Sequence, residues 1–278
     1  MPFHITDPKP RHIHKATVRD RLLHHAVFRV LEPLFDQSFI HDSYSCRVGK
    51  GTHAAVRRLE DFTRKMSGNN RLNFWALKCD VRRFFDSVDH GKLLGLITRR
   101  VRDDRAMALI GRILDSFHKT PGVGLPLGNV TSQLFANIYL NELDQFVKHE
   151  LQIRFYLRYC DDYIILDYDP ANLLGLKDRI TAFLIDRLRL VLHPDKVSMR
   201  THARGIDFLG YVIRPHHTVL RTKTKRRICR NITPKNAPSY LGLLGHCDAF
   251  QLASSVLYKL STGMFTRGGG LFAPLFLL

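Results

Sequence analysis

Residues 154–167, with the sequence RFYLRYCDDYIILD, restrict the fold more than any other stretch of the chain. Two strongly β-forming apolar runs flank the adjacent carboxylates of Asp161 and Asp162. This pattern predicts a strand, a tight turn that carries both carboxylates, and a second strand. Paired carboxylates repel each other unless a cation neutralises them, and an oxygen-rich site of this kind suits Mg²⁺. The alternative is a solvated hairpin turn, because Asp is a common turn residue.

The charge of the chain indicates the class of its partner. Its 278 residues include 43 Lys and Arg against 25 Asp and Glu, a net charge of +18. Such an excess favours a polyanionic partner, and nucleic acid before a membrane. The five cysteines form no C-x-x-C pair, which argues against a disulfide framework and a structural zinc site. We expect an intracellular, cytoplasmic chain without a membrane partner, because the start is polar and no apolar run approaches the ~18 residues of a membrane span.

A third aspartate follows a predicted buried strand. The run FWALKC at residues 74–79 is apolar and leads directly into Asp80. A carboxylate at the end of a buried strand is costly unless it is neutralised. The alternative role for Asp80 is a helix N-cap, which Asp favours. Apolar residues at helical spacing also predict helices over 18–35, 130–149 and 170–192.

Two glycine-containing loops are candidate anion sites. Residues 44–47 look strand-like, a Gly-Lys-Gly turn follows at 49–51, and Thr52 is a candidate cap for the next helix. Arg47 and Lys50 would then flank a helix N-terminus, where a phosphate group is favoured. The alternative is an ordinary basic surface turn. The Gly- and Pro-rich segment 121–133 precedes another predicted helix, and it is either a ligand-binding loop or a plain connector.

The two ends of the chain are basic or apolar. Residues 1–15 predict an irregular arm, either a disordered tail or a basic strap on a phosphate backbone. The apolar run at 205–213 predicts a second hairpin, and no acidic residue follows Asp207 until Asp248. Interleaved apolar residues favour a folded, backbone-binding element for this basic block. The apolar end at 268–278 fits a docking segment or a boundary of the sequence.

These pieces, in this order, resemble the palm of a reverse transcriptase. They are residues 74–88 with Asp80, the loop 124–133, the Tyr-Cys-Asp-Asp run at 159–162, Lys196, and the Phe-Leu-Gly-Tyr run at 208–211. The chain looks prokaryotic within that group, of the lineage shared by group II introns, retrons and diversity-generating retroelements. The resemblance implies an α+β right-hand polymerase, with an antiparallel-sheet palm backed by helices. The implied parts are a basic arm at 1–17, fingers at 18–73 with parts of 90–120, a palm at 74–213, and a short basic thumb and tail at 214–278.

One loop indicates which group of reverse transcriptases the chain resembles most. Most of the superfamily has Pro-Gln-Gly-x-x-x-Ser-Pro before the long helix, whereas this chain has LPLGNVTSQ at 125–133, with Leu127 for the Gln and Gln133 for the final Pro. That variant resembles the enzymes of diversity-generating retroelements, which copy a template RNA with errors at adenines. The alternatives are a reverse transcriptase of a retron, a group II intron or a phage-defence system. A non-catalytic RNA-binding protein with a polymerase fold is the alternative from another class.

The resemblance also implies roles for individual residues. Two Mg²⁺ ions, with Mn²⁺ as a substitute, would be bridged by Asp80 and Asp161, helped by Asp162 and the carbonyl of Val81. Lys196 would protonate pyrophosphate, with a solvated turn lysine as the alternative. The residues implied to contact the nucleotide are Arg47, Lys50, Phe85, Leu127, Gly128 and Gln133. Among them, Phe85 would exclude a 2′-OH, or would simply be a core residue.

The remaining implied residues contact nucleic acid. The primer and the duplex would be held by Phe208, Leu209, Gly210, Tyr211, Arg221, Lys223, Lys225, Arg226 and Arg227. The implied partners are the template RNA, the RNA/cDNA duplex, dNTPs and a small basic accessory variability determinant protein.

Overall fold

The structure, a computed structural model, describes residues 2–5, 11–14 and 16–262. The chain divides into two compact units, Met1–His202 and Ala203–Leu278. Both combine helices with antiparallel strands, so the predicted α+β class is confirmed. None of the helices in the described part of the chain is long and apolar enough to cross a membrane. The fingers, palm and thumb boundaries stay predictions.

The first unit contains most of the secondary structure. Its strands and helices are β1 (Pro2–Ile5), β2 (Arg11–His14), α1 (Val18–Asp36), α2 (Thr52–Met66), β3 (Trp75–Asp80), α3 (Phe84–Ser87), α4 (His90–Thr98), α5 (Asp104–Asp115), α6 (Val130–Gln145), β4 (Tyr156–Tyr159), β5 (Asp162–Asp167), α7 (Pro170–Leu188) and β6 (Ser198–Thr201). A π-helical turn, Phe146–Glu150, extends α6, and a 3-10 turn, Pro194–Lys196, precedes β6.

A four-stranded antiparallel sheet forms the centre of this unit, in the order β4-β5-β3-β6. The register of the two middle strands runs from Trp75 opposite Asp167 to Asp80 opposite Asp162. Both middle strands are apolar along most of their length, and Leu77 and Ile165 belong to the main core. An antiparallel sheet with such strands must be covered by helices.

Helix α6 supplies the central cover. Eleven of its residues are buried, which fits a helix surrounded by other elements rather than one on the surface. It packs against α1, α4 and α7. The ring of Phe146, just after α6, stacks on Phe183 of α7 at 4.1 Å between centroids. Helix α6 is therefore enclosed by three neighbouring helices, and the loop before it leads directly into this buried helix.

Several local predictions were wrong. The arm is not irregular, since Pro2–Ile5 pairs with Arg11–His14 as an antiparallel hairpin. Residues 44–47 form a loop instead of a strand, and the isolated bridge to Arg158 is made by the preceding residue, Ser43. Helix α2 begins at Thr52 with Gly51 as its N-cap, because the φ of 115° at this position suits glycine. Local β-propensity does not decide pairing, which depends on distant partners.

One helix end agrees with prediction and another differs. Helix α1 ends at Asp36, within one residue of the predicted end, with Pro33 in its last turn. Helix α7 ends at Leu188, before the predicted residue 192, because Arg189 adopts a left-handed conformation with φ 52°. The apolar segment 268–278 lies outside the described residues.

The second unit holds β7 (Ile206–Phe208), β8 (Tyr211–Ile213), β9 (Thr218–Leu220), α8 (Thr222–Asn231), α9 (Ala237–Leu244) and α10 (Phe250–Thr262). The predicted second hairpin is confirmed, and β9 extends it to a three-stranded sheet. Leu209 and Gly210 both have positive φ, as a two-residue hairpin turn of type I′ requires. The basic block is folded, since it forms β9 and α8, and Ile228 of α8 is buried.

Candidate active site

The two adjacent aspartates lie at the tip of the hairpin between β4 and β5. Tyr159 is paired with Asp162, which leaves Cys160 and Asp161 as the turn. Cys160 has a φ of 54°, in the left-handed region that a two-residue turn uses. The predicted strand-turn-strand arrangement is therefore confirmed.

Asp80 lies directly opposite Asp162 in the antiparallel register of β3 and β5. Opposed residues in such a pair have Cα atoms about 4.5–5.5 Å apart. The next residue, Val81, donates its N–H to the carbonyl of Asp161 at 3.2 Å. Asp80 caps no helix, because α3 begins at Phe84 with Arg83 at its N-cap. The fold thus brings the ends of two distant segments, each carrying acidic residues, side by side.

Burial and the repulsion of nearby carboxylates disfavour the charged forms of Asp161 and Asp162. Burial raises the pKa of Asp161, and the nearby charge of Asp80 raises it further. Burial also raises the pKa of Asp162 to about 6; Lys78 opposes this shift, while Asp80 and Asp161 add to it. The Nζ of Lys78 is 3.9 Å from Oδ1 of Asp162. A cation at this edge of the sheet would relieve the repulsion.

Lys196 supplies one such cation. Its Nζ donates to Oδ1 and Oδ2 of Asp80 at 2.7 and 2.9 Å. The approach is fixed by the backbone, since the N–H of His193 donates to the carbonyl of Asp80 at 2.8 Å. The structure therefore brings the predicted Lys196 into contact with the predicted Asp80.

The donor types at this edge suit a hard divalent ion, because carboxylate and carbonyl oxygens are the ligands that Mg²⁺ prefers. Asp80 already accepts an ammonium group with both of its oxygens, so the position attracts a cation. Across residues 2–5, 11–14 and 16–262, however, no three His, Cys, Asp or Glu side chains converge as a ready-made metal cluster. The carboxylate oxygens are suitable ligands for such an ion, and the ammonium group of Lys196 is paired with one of the carboxylates, that of Asp80.

Arg47 and Lys50 have different environments. The Arg47 side chain is 8% exposed and is ion-paired with Asp36. It also donates to the carbonyls of Ile40 and Ser43 at 2.7 and 3.0 Å. The structure does not present this guanidinium to a phosphate: it fixes the loop after α1, a role that residue spacing does not reveal. Lys50 is half-buried, donates to the carbonyl of His41 at 3.0 Å, and lies 4.9 Å from the centre of the Tyr44 ring.

Phe85 and the loop before α6 are adjacent. The N–H of Leu125 donates to the carbonyl of Phe85 at 2.6 Å. Phe84 is fully buried, whereas Phe85 is partly exposed, so Phe84 is the core member of the pair. The carbonyl of Leu127 accepts the N–H of His14 at 3.0 Å, which ties the N-terminal hairpin to this loop.

Gly128 and Gln133, the two other residues of this segment that are predicted to contact the nucleotide, differ in their environments. Gly128 is exposed and has a φ of 113°, a conformation that favours glycine. Gln133 lies in the first turn of α6 and is half-buried.

The residues predicted to hold primer and duplex lie in the second unit. Phe208 and Tyr211 are buried there, and they flank the half-buried turn formed by Leu209 and Gly210. Arg221 is ion-paired with Asp207. Lys225 and Arg227 are half-buried.

The exposed cations of α8 share one face. Lys223 and Arg226, both implied to hold the duplex, lie at helical spacing with Arg230, another residue of the predicted basic block. The i, i+3, i+7 pattern of these three residues was the signal that identifies Arg230.

Comparison with known proteins identifies the family of the chain. The model of the reverse transcriptase (RNA-dependent DNA polymerase) family matches residues 6–213. Protein YkfC of Escherichia coli is 25% identical over 269 residues, covering 82% of this chain and 68% of that protein. The group II intron-encoded protein LtrA of Lactococcus lactis is 25% identical over 292 residues, covering 79% of this chain and 47% of that protein.

The apo telomerase of Candida tropicalis has a similar fold, with a TM-score of 0.60 at 14% identity, covering 79% of this chain and 54% of that one. The chain thus spans about half the length of LtrA and of this telomerase. The family match extends over most of the chain and contains the two strands that carry Asp80 and Asp162. By sequence and by fold, the chain belongs to the reverse transcriptase (RNA-dependent DNA polymerase) family.

Proposed function

We propose that this chain is an RNA-directed DNA polymerase whose active site is the edge of the sheet formed by Asp80, Asp161 and Asp162. The observation that carries the proposal is the register of β3 and β5, which sets Asp80 opposite Asp162 in a chain of the reverse transcriptase family. The raised pKa values of Asp161 and Asp162 support it, because perturbed titratable groups cluster at functional sites.

The reaction is attack of a primer 3′-OH on the α-phosphate of a dNTP, with pyrophosphate as the leaving group. Divalent ions, when bound, would activate the hydroxyl and neutralise charge on the phosphates. Asp80, Asp161, Asp162 and the carbonyl of Val81 are the residues that would hold Mg²⁺, or Mn²⁺ in its place. Lys196 would leave Asp80 as the metal binds, and its ammonium would then be available to donate a proton to pyrophosphate.

The nucleotide would lie between the loop before α6 and the residues around Lys50. Phe85 fits a role beneath the sugar, because it is partly exposed and its carbonyl fixes the loop. Leu127, Gly128 and Gln133 would contact the nucleotide or its backbone neighbours. Arg47 is better explained as a loop anchor, since its guanidinium is taken up by Asp36.

The second unit would bind nucleic acid. The turn at Leu209 and Gly210 would contact the primer end. The exposed face of α8 would lie along the phosphates of the RNA/cDNA duplex, because a one-signed face binds a polyanion without reading its sequence.

The direct test is primer extension by the purified chain on a defined RNA template with dNTPs and Mg²⁺. The proposal requires cDNA that depends on the RNA template and on the divalent ion. A chain that binds the primer-template but makes no cDNA in either Mg²⁺ or Mn²⁺ would be the non-catalytic RNA-binding protein instead.

The finer proposal is that the enzyme belongs to a diversity-generating retroelement and makes adenine-mutagenised cDNA, working with an accessory variability determinant protein. The sequence LPLGNVTSQ at 125–133 supports it, because the aliphatic Leu127 cannot make the amide hydrogen bonds of a glutamine. Sequencing of cDNA made by the reconstituted enzyme on its RNA tests this. Errors concentrated at template adenines are expected, and evenly distributed errors would exclude it.

The second candidate is the reverse transcriptase of a group II intron or a related retron or phage-defence system. The relationship to LtrA, whose name is group II intron-encoded protein, favours it. A template repeat and a variable repeat beside the gene would favour the diversity-generating retroelement. The absence of both repeats would favour the second candidate.

A further inference from the structure

A buried ion pair lies directly behind the turn that carries the aspartates. Arg158 of β4 and Asp144 of α6 are both 0% exposed in their side chains. The guanidinium contacts the carboxylate with two parallel bonds, 2.8 Å from Nε to Oδ1 and 2.6 Å from Nη2 to Oδ2. Desolvating two charges is costly, and apolar residues of similar volume often serve stability as well or better. Stability alone therefore does not explain why the chain has a buried ion pair at this position.

The third nitrogen of the guanidinium reaches the turn itself. Nη1 of Arg158 donates to the carbonyl of Cys160 at 3.0 Å and also lies 3.4 Å from Oδ1 of Asn137. Cys160 is the residue immediately before Asp161 and has a left-handed backbone. Such a non-glycine conformation persists when its surroundings hold it in place. Arg158 is thus a direct link between α6 and the catalytic turn.

The same network extends to the loop that carries Lys50. The N–H of Arg158 donates to the carbonyl of Asp42, and its own carbonyl accepts the N–H of Tyr44, both at 2.9 Å. Asn137 donates to the carbonyl of Ser45 at 2.8 Å. The hydroxyl of Tyr156 completes the set by donating to Asp144 at 2.7 Å. One arginine therefore joins three segments that the proposed function brings together.

We propose that Arg158, oriented by Asp144, is a positioning residue that fixes the turn of Asp161 and Asp162 relative to α6 and the 42–51 loop. This inference rests on the proposed function, because the turn is taken to hold the metal. The physical reason is that outer contacts of metal ligands set their orientation, and losing them typically costs about 10–100-fold in metal affinity or activity.

The test separates positioning from folding. The triple variant Tyr156→Phe, Asp144→Leu, Arg158→Met removes both buried charges and the hydroxyl together, so none of the three is left without its partner. We expect it to fold with a melting temperature close to that of the wild type. Its affinity for Mn²⁺, measured by electron paramagnetic resonance, should fall about 10–100-fold, as should kcat in primer extension, with KM for dNTP changed less than about threefold.

Arg158→Lys is the second variant, for use whether or not the triple variant folds. Lysine keeps the charge beside Asp144 but lacks the fork that also reaches Cys160. Weaker Mn²⁺ binding and lower kcat are expected from it as well. The control is Arg99→Met with Glu142→Leu, an exposed ion pair that also involves α6. Its Mn²⁺ affinity and kcat should equal those of the wild type.

The results separate failure of the positioning inference from failure of the proposed function. Wild-type Mn²⁺ affinity and kcat in a folded triple variant, or in Arg158→Lys if the triple variant does not fold, would overturn the inference. The Mn²⁺ measurement needs no polymerase activity. A wild type that binds Mn²⁺ but extends no primer would defeat the proposed function and leave the positioning test intact. A wild type that binds no Mn²⁺ would overturn the positioning inference together with the metal site.

Discussion

Lys196 and Asp80, 116 residues apart in the chain, form an ion pair in which one ammonium nitrogen contacts both carboxylate oxygens, at 2.7 and 2.9 Å. Asp80 is also opposite Asp162, whose charged form is disfavoured by burial and by its acidic neighbours. Lys196 therefore balances part of the negative charge of the site, and a divalent ion bound there would compete with it for Asp80.

Lys196→Ala should make the chain more dependent on divalent ions. Without the ammonium, the melting temperature in EDTA at pH 8 should fall by about 2–4 °C, a small effect because the lysine side chain is 42% exposed. Added Mg²⁺ should raise the melting temperature by more in the variant than in the wild type. Thermal melts with and without Mg²⁺ measure both changes.

The control for Lys196 is Lys177→Ala, which removes a lysine paired with the exposed Asp178. It should show the wild-type response to Mg²⁺. An unchanged Mg²⁺ response in Lys196→Ala would mean that the ammonium and the metal do not compete for Asp80.

Asp162→Asn should stabilise the metal-free chain, and more so as the pH rises. The folded pKa of Asp162, about 6, exceeds its ordinary value of 3.8, so the folded state holds this proton more tightly than the unfolded state. The contribution of Asp162 to stability is therefore greatest below pH 3.8 and is lost as the pH rises to about 6. In EDTA, the advantage of Asp162→Asn should grow between pH 4 and pH 7.

Urea unfolding of both proteins across that range measures the advantage, and Asp178→Asn, at a side chain that is 74% exposed, is the control. A difference between Asp162→Asn and the wild type that stays constant with pH would contradict the electrostatic account of the site.

Leu127→Gln should raise fidelity, mainly opposite template adenine. A glutamine amide restores one hydrogen bond near the nucleotide, worth about 1 kcal/mol or about a fivefold change in discrimination. Sequencing of cDNA libraries measures the error rate at each template base. Leu72→Gln, at an exposed leucine in the turn after α2, is the matched control. An unchanged error spectrum would mean that Leu127 does not determine the fidelity of the enzyme.

The exposed face of α8 should account for part of the salt dependence of duplex binding. Replacing Lys223, Arg226 and Arg230 with Ala should weaken binding to RNA/DNA duplexes of any sequence. The slope of log K against log salt should become shallower by about 2–3, since each phosphate contact contributes about 0.7–0.9. Titrations at several salt concentrations give the slope.

A charge-matched control for α8 uses exposed arginines of the first unit, replaced together by Ala: Arg102, Arg105 and Arg112. An equal loss of slope in that control would show that net charge, rather than this face, binds the duplex.

The hairpin of Asp161 and Asp162 was predictable because apolar strands and a polar turn follow one another directly in the sequence. The expectation that Asp80 lies beside Asp161 and Asp162 came from the family resemblance. Pairing between strands that are this far apart in the sequence has no local signal. The same limit explains the errors. From the sequence, Arg47 looked like a phosphate ligand, but in the fold it is ion-paired with Asp36. No local sequence pattern indicates that Arg158 is the buried partner of Asp144. Tertiary contacts, and not propensity, decide these roles.

Primer extension with Asp161→Ala tests the central claim most directly. The variant and the wild type are compared in Mg²⁺ on one RNA template, at concentrations that give equal occupancy of the primer-template. The account predicts that the variant binds RNA as the wild type does but makes less than about one-hundredth of its cDNA. Extension by Asp161→Ala at a rate close to that of the wild type would contradict the assignment of the three aspartates as the catalytic centre.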